Sequence, residues 1–150
     1  MIELCHVANF AVLVGEPIEA GETSAGLRRV IPIVGGEVTG PHLQGRVLAG
    51  GADFQILRPN GVAELHARYV IECQDGERIY VENCGLRHGP PEAMERLRRG
   101  EPVDPALIYF RTTPRFETGA KKYSWLRDYV FTASGARRPN SVELSVYQVL

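Results

Sequence analysis

Turn chemistry interrupts this chain so often that only short elements fit between the interruptions. Leu4–Val14 is apolar and β-branched and stops at Gly15-Glu16-Pro17. Leu27–Val34 runs into Gly35-Gly36, Leu43–Ala49 alternates up to Gly50-Gly51, and Ala52–Leu57 continues to Pro59-Asn60-Gly61. Val62–Cys73 and Arg78–Cys84 flank Gln74-Asp75-Gly76-Glu77, in which Asp-Gly is a hairpin signal. Ile108–Thr112, Trp125–Ala133 and Val142–Val149 complete the set. About nine extended segments with short connections predict an all-β, antiparallel sandwich or barrel.

One segment departs from that rhythm. In Pro90-Pro91-Glu92-Ala93-Met94-Glu95-Arg96-Leu97-Arg98-Arg99-Gly100 a proline opens, acids fill the first turn, arginines fill the last, and glycine closes. Those choices match helix-end geometry and dipole, with Glu92–Arg96 and Glu95–Arg99 as i,i+4 pairs. One short helix near 91–99 is predicted, as a lid or plug at a barrel end.

The 150 residues predict a single domain spanning 1–150. With 17 Lys and Arg against 18 Asp and Glu, the net charge of -1 removes the electrostatic case for nucleic acid. No stretch approaches the length of an apolar membrane span, and MIELCHVANF lacks the basic and apolar regions of a signal peptide. No membrane partner and a cytoplasmic location are expected. Cys5, Cys73 and Cys84 form an odd set without ligand spacing, so reduced thiols are expected, although the hairpin can bring Cys73 near Cys84. An odd strand count leaves an edge or a parallel pairing, which favours a homodimer.

The motifs that announce common chemistry are missing: the chain has no GxGxxG, P-loop, HExxH or GxSxG. His6, His42, His66 and His88 stand at no recognised ligand spacing, so no metal and no cofactor are expected. Asp53 follows Gly50-Gly51, where a bulge re-aims a side chain toward a site or where an Asp caps its own turn. In Glu64–Glu72, alternation puts Leu65, Ala67, Tyr69 and Ile71 on one face and Glu64, His66, Arg68 and Glu72 on the other. The polar face, Arg68 included, is either solvated or the lining of a polar interior.

The densest stretch holds Tyr109, Phe110, Arg111, Arg115, Phe116 and Glu117, with Tyr123 and Trp125 following. Aromatic walls with a few charges are what a small-molecule pocket needs. Tyr109 and Arg111 share a face, and Glu117 among aromatics suits proton transfer. The alternative is a buried Arg111–Glu117 pair that locks a loop across the barrel end.

The ordered set Gly35–Gly45, Gly50-Gly51-Ala52-Asp53-Phe54, Ala67-Arg68-Tyr69, Asp75-Gly76, Tyr109-Phe110-Arg111-Thr112, Phe116-Glu117-Thr118 and Trp125-Leu126 resembles the DUF3237 family, also called UPF0311. The resemblance runs over nearly the whole chain and implies a small lipocalin-like β-barrel. The family pattern often has Asn after the Trp-Leu pair, where Arg127 stands here. Asp53, Arg68, Tyr109, Arg111, Phe116, Glu117 and Trp125 are the matching polar and aromatic positions.

Together these readings predict a barrel of about nine strands with an internal small-molecule pocket. The expected function is cofactor-independent acid–base chemistry (isomerase, cyclase, hydratase or lyase) on a small aromatic or carbonyl compound. Asp53 or Glu117 would transfer the proton, with Arg68, Tyr109, Arg111, Phe116 and Trp125 binding the substrate. The alternatives are a non-catalytic, lipocalin-like binding protein and a purely structural arginine and carboxylate set.

Overall fold

Alternating side chains with a turn at each strand end curl the chain into a closed antiparallel barrel. The computed structural model describes residues 1–150. Its strands are β1 (Leu4–Val14), β2 (Ile18–Thr23), β3 (Gly26–Thr39), β4 (Gly45–Val47), β5 (Gly51–Leu57), β6 (Ala63–Cys73), β7 (Arg78–His88), β8 (Tyr109–Glu117), β9 (Phe131–Arg137) and β10 (Ser141–Val149). One helix, α1 (Pro91–Arg98), and two 3-10 segments, Pro105–Leu107 and Lys121–Arg127, interrupt the strands.

The barrel circuit runs β1, β10, β9, β8, β7, β6, β5 and β3, and β3 returns to β1 through pairs from Asn9↔Thr39 to Val14↔Ile33. Eight strands close it, all pairings antiparallel. The sequence segments 43–49 and 52–57 read as two strands of the circuit, but both lie between β3 and β6. β4 pairs with Glu37–Val38 and Ile71–Cys73, while β5 pairs with Leu27–Ile33 and with β6 further along. They share one barrel position, broken by the turn between them. The remaining strand, β2, flanks β3 outside the circuit. The even circuit closes on itself, while β2, which pairs only with β3, keeps one edge unpaired.

Local chemistry explains several boundaries. At the β6–β7 hairpin Gly76 sits at φ 87°, in the left-handed region, and the Glu77 amide donates to Asp75 Oδ1 at 3.1 Å. The segment around Trp125, predicted as strand, instead forms the 3-10 turn of Lys121–Arg127, and the strand begins only at Phe131. Lys122 Nζ and the Tyr123 hydroxyl both donate to Asp75 Oδ2 at 2.9 Å, which ties this turn to the hairpin. Helix α1 forms where predicted. Glu95 reaches Arg98 and Arg99 at 3.7 and 3.5 Å, whereas Arg96 turns from Glu92 to Glu101, 3.8 Å away, and donates to the Pro102 carbonyl.

The interior has two unlike ends. At one, Phe10, Phe116 and Phe131 stack edge to face, with Trp125 and Leu126 of the 3-10 turn packed over them and Ile71, Ile79 and Val146 around them. At the other end the inward positions of β3, β5, β7 and β9 carry Arg29, Gln55, Arg87 and Arg137, and α1 lies across it, with Arg29 Nη2 donating to the Arg98 carbonyl at 3.2 Å. Cys73 and Cys84 point to opposite faces, and the register sets Cys84 beside His66, far from Cys73, so the hairpin does not bring the two thiols together.

Candidate functional site

Two adjacent spaces occupy the polar end. The inner chamber, about 40 Å³, is lined by Asp53, Gln55, Tyr69, Asn83, Thr112 and Arg137 among apolar residues that include Ile31, Leu65 and Phe110. The mouth, about 620 Å³, opens under α1 between Arg29, Arg87, Arg98, Arg99 and Arg137, with Glu16 and Glu19 on its rim. Val14, Ile31, Gln55 and Arg137 line both.

Hydrogen bonding singles this region out. Six buried side-chain atoms have no protein partner: Gln55 Oε1, Tyr69 OH, Asn83 Oδ1 and Thr112 Oγ1 in chamber residues, and Arg29 Nε and Arg87 Nε in mouth residues. An orphaned buried polar group costs about 1–3 kcal/mol, and folded proteins hold few of them. Here every one belongs to a residue lining these two spaces. Arg29 Nε does lie 2.8 Å from Glu19 Oε1, an ion pair without the direction of a hydrogen bond.

The charges are arranged with equal economy. Asp53 is oriented by two donors, Gln55 Nε2 to Oδ2 at 2.8 Å and the His66 amide to Oδ1 at 2.9 Å. Burial, reinforced by the Asp53 carboxylate, holds the Tyr69 phenol above its ordinary range, so it stays protonated. Burial also pushes Arg87 down to about 10, with Arg137 and Arg29 adding to the effect and Asp53 opposing it. Arg137 is lowered for the same reasons: burial first, then Arg29.

The sequence-predicted residues divide among three places. Asp53 faces the chamber. Phe116 and Trp125 belong to the aromatic plug at the opposite end. Arg68, Tyr109, Arg111 and Glu117 are on the outer wall, so the expected interior lining by Arg68, Tyr109, Arg111 and Trp125 is corrected. In β8 burial alternates strictly, with Phe110, Thr112, Pro114 and Phe116 inward, because the apolar member of each pair takes the core. Arg111 lies over the Tyr109 ring and donates to the Phe110 carbonyl, and it forms no ion pair with Glu117, which is six positions along the same outward face. Arg68 and Glu117 do line one open hollow on the outer wall, shared with Tyr80 and Arg127.

Sequence reading missed Arg29, Gln55, Tyr69, Asn83, Arg87, Thr112 and Arg137. A signal was present: Arg29 interrupts the inward series Leu27, Ile31, Ile33, and Asn83 interrupts Ile79, Val81. A polar residue in the apolar phase of an alternating strand marks a polar interior. The fold also assembles one donor set that chain spacing conceals. On the outer face of β6 and β7, His66, Glu82 and Cys84 place their ligand atoms within 4.8 Å of one another. Arg68 Nε donates to His66 Nε2 at 3.3 Å, so a guanidinium already occupies the approach.

Residues 2–149 match the family model described as a protein of unknown function, DUF3237. The chain belongs to the DUF3237 family. A UPF0311 protein of Bradyrhizobium diazoefficiens is 53% identical over 145 residues, covering 97% of this chain and 95% of that protein. A family structure from Rhodopseudomonas palustris, a conserved protein of unknown function, superposes with a TM-score of 0.95 at 51% identity, over 100% of this chain and 98% of that one. A β-barrel-like protein from Acinetobacter baumannii follows at 0.88 and 41%, over 100% and 97%. An enzyme from Penicillium herquei shares the fold at a TM-score of 0.74 and 18% identity, over 99% and 95%. No helix of this DUF3237 member is long and apolar enough to cross a membrane.

Proposed function

We propose that the polar end of the barrel binds one small molecule and that Asp53 moves a proton on it, which makes the protein an acid–base enzyme. The observation that carries this reading is the convergence of four of the six orphaned buried polar atoms on the chamber beside one carboxylate, with the other two at its mouth. A carboxylate held by two donors has a fixed direction, and a protonated phenol nearby can donate to an oxygen that gains charge. Asp53 would take a proton from a C–H next to a carbonyl of the substrate. The electron pair left behind moves onto the substrate's carbonyl oxygen, which the Tyr69 hydroxyl hydrogen-bonds. Return of the proton at a second atom completes an isomerisation; attack of the activated atom on a polarised double bond elsewhere in the same molecule, whose π electrons then take the proton back from Asp53, completes a cyclisation.

Proton abstraction can be followed before the natural substrate is known. Acetone, acetophenone and phenylpyruvate are incubated with the protein in D2O, and loss of the proton next to the carbonyl is followed by NMR. The native protein is expected to accelerate exchange of at least one compound, and Asp53→Asn to lower that rate about 100-fold or more. Equal rates for the two proteins overturn the role of Asp53. Binding of these compounds without exchange above the buffer rate overturns the enzyme reading in favour of a non-catalytic binding barrel.

A further inference from the structure

Charge balance at the mouth is incomplete. Arg29 is paired with Glu19, while Arg98 and Arg99 are paired with Glu95, and Arg99 also with Glu101. None of the ion pairs in the molecule includes Arg87 or Arg137. Arg87 is 5% exposed, with Nε unpartnered, and its guanidinium lies 5.3 Å from the centre of the Phe110 ring. Arg137 spends its Nη1 on the carbonyls of Arg138 and Ser141. A buried guanidinium without an acid is a costly arrangement in a stable fold, and proteins keep such groups paired.

Asp53 is the one acid of the chamber, and its two oxygens are already engaged by Gln55 and the His66 amide. Its charge offsets one of the two free arginines; Glu16, the one other acid of the opening outside an ion pair, is exposed on the rim, so the second guanidinium has no buried acid beside it. A planar fork of N–H donors on a fixed aromatic floor matches a carboxylate in shape as well as in charge. Arg98 and Arg99, on the rim of the same opening, add to the field that draws an anion in.

We infer that the ligand is a small monocarboxylate whose carboxylate is held by Arg87 and Arg137 at the mouth while its other end enters the chamber beside Asp53. This deepens the proposed function and rests on its pocket. It also orients the reaction, because the atom that loses its proton lies at the end of the molecule away from the carboxylate. Arg87 and Arg137 are then positioning groups that set the reach of the substrate toward Asp53.

Phenylacetate and benzoate are compared with their neutral isosteres phenylacetamide and benzamide, and with inorganic phosphate. Binding is read from the backbone amide resonances of Asn83 and Thr112 and from calorimetric titration. The carboxylates are expected to bind at least tenfold tighter than the amides. Arg87→Met, similar in length and uncharged, is expected to bring the two classes within about twofold and to raise the melting temperature of the free protein, since a structural arginine would lower it. Amides that bind as tightly as the carboxylates overturn the carboxylate inference and leave the pocket standing. Phosphate binding as tight as phenylacetate also overturns it. An Arg87→Met protein that melts lower and keeps full preference for carboxylates assigns Arg87 to the fold and refutes the inference. Silence of Asn83 and Thr112 toward all five probes removes the pocket, and the proposed function with it.

Discussion

Removing the Phe131 ring tests the division of the barrel into a packed end and a polar end. Phe131 is 2% exposed, with its ring centre 5.1 Å from Phe116 in an edge-to-face contact and 5.9 Å from Trp125. Phe116 in turn meets Phe10 at 6.5 Å. Truncation to alanine therefore opens a cavity at the centre of a four-ring cluster. Such Phe→Ala changes cost about 3–5 kcal/mol, and loss of two ring–ring contacts puts this one near the upper half, about 4 kcal/mol. With an unfolding entropy of about 2.1 cal/mol/K per residue, 150 residues give roughly 0.3 kcal/mol/K, so the melting temperature should fall by roughly 10–15 °C. Urea and thermal melts followed by the fluorescence of Trp125, the sole tryptophan, measure the change in the cluster itself. Phe131→Leu keeps most of the volume and is expected to recover more than half of the loss. A Phe131→Ala cost below about 1 kcal/mol would refute the reasoning, because it would mean that the aromatic end is not close-packed.

Two further outcomes follow from the outer wall. Glu117→Gln and Arg111→Ala should each shift stability by no more than about 0.5 kcal/mol in chemical denaturation, because both side chains are exposed and neither is the other's partner; a loss of several kcal/mol would restore the buried-pair reading. Glu72 accepts from Arg46 and Arg78, which hold its carboxyl below the ordinary value of 4.5, so its contribution is full above that pH and is lost as the pH falls through the lowered value. Acid titrations of the melting temperature should therefore show a shallower decline below pH 4.5 in Glu72→Gln than in the native protein, and parallel curves would show that the bridge adds nothing.

Which way each strand faces was legible along the chain, because a strand's side chains alternate and the apolar phase must leave water. Leu65, Ala67, Tyr69 and Ile71 are inward in β6 as that rule requires, and Glu64, His66, Arg68 and Glu72 are outward. The turns at Pro59-Asn60-Gly61 and Asp75-Gly76 and the helix at Pro91 were equally local, since they depend on backbone preferences of single residues. The aromatic and charged density around Tyr109 and Arg111 misled because composition does not distinguish a pocket from a wall, whereas phase does.

What no local rule supplies is which positions meet across the barrel. Arg29, Gln55, Arg87 and Arg137 are dispersed over more than a hundred residues of sequence, each a polar residue in the inward phase of its strand. They converge only because the register of β3, β5, β7 and β9 brings them to one level, where α1 lies over them. The even strand count likewise comes from closure, which seats β4 and β5 in a single gap between β3 and β6. Side-chain direction is a property of neighbours in the chain, while the content of a barrel's interior is a property of long-range hydrogen-bond register. Asp53 could therefore be singled out from its glycine-flanked strand, and the arginines gathered at the mouth beside its chamber required the closed sheet.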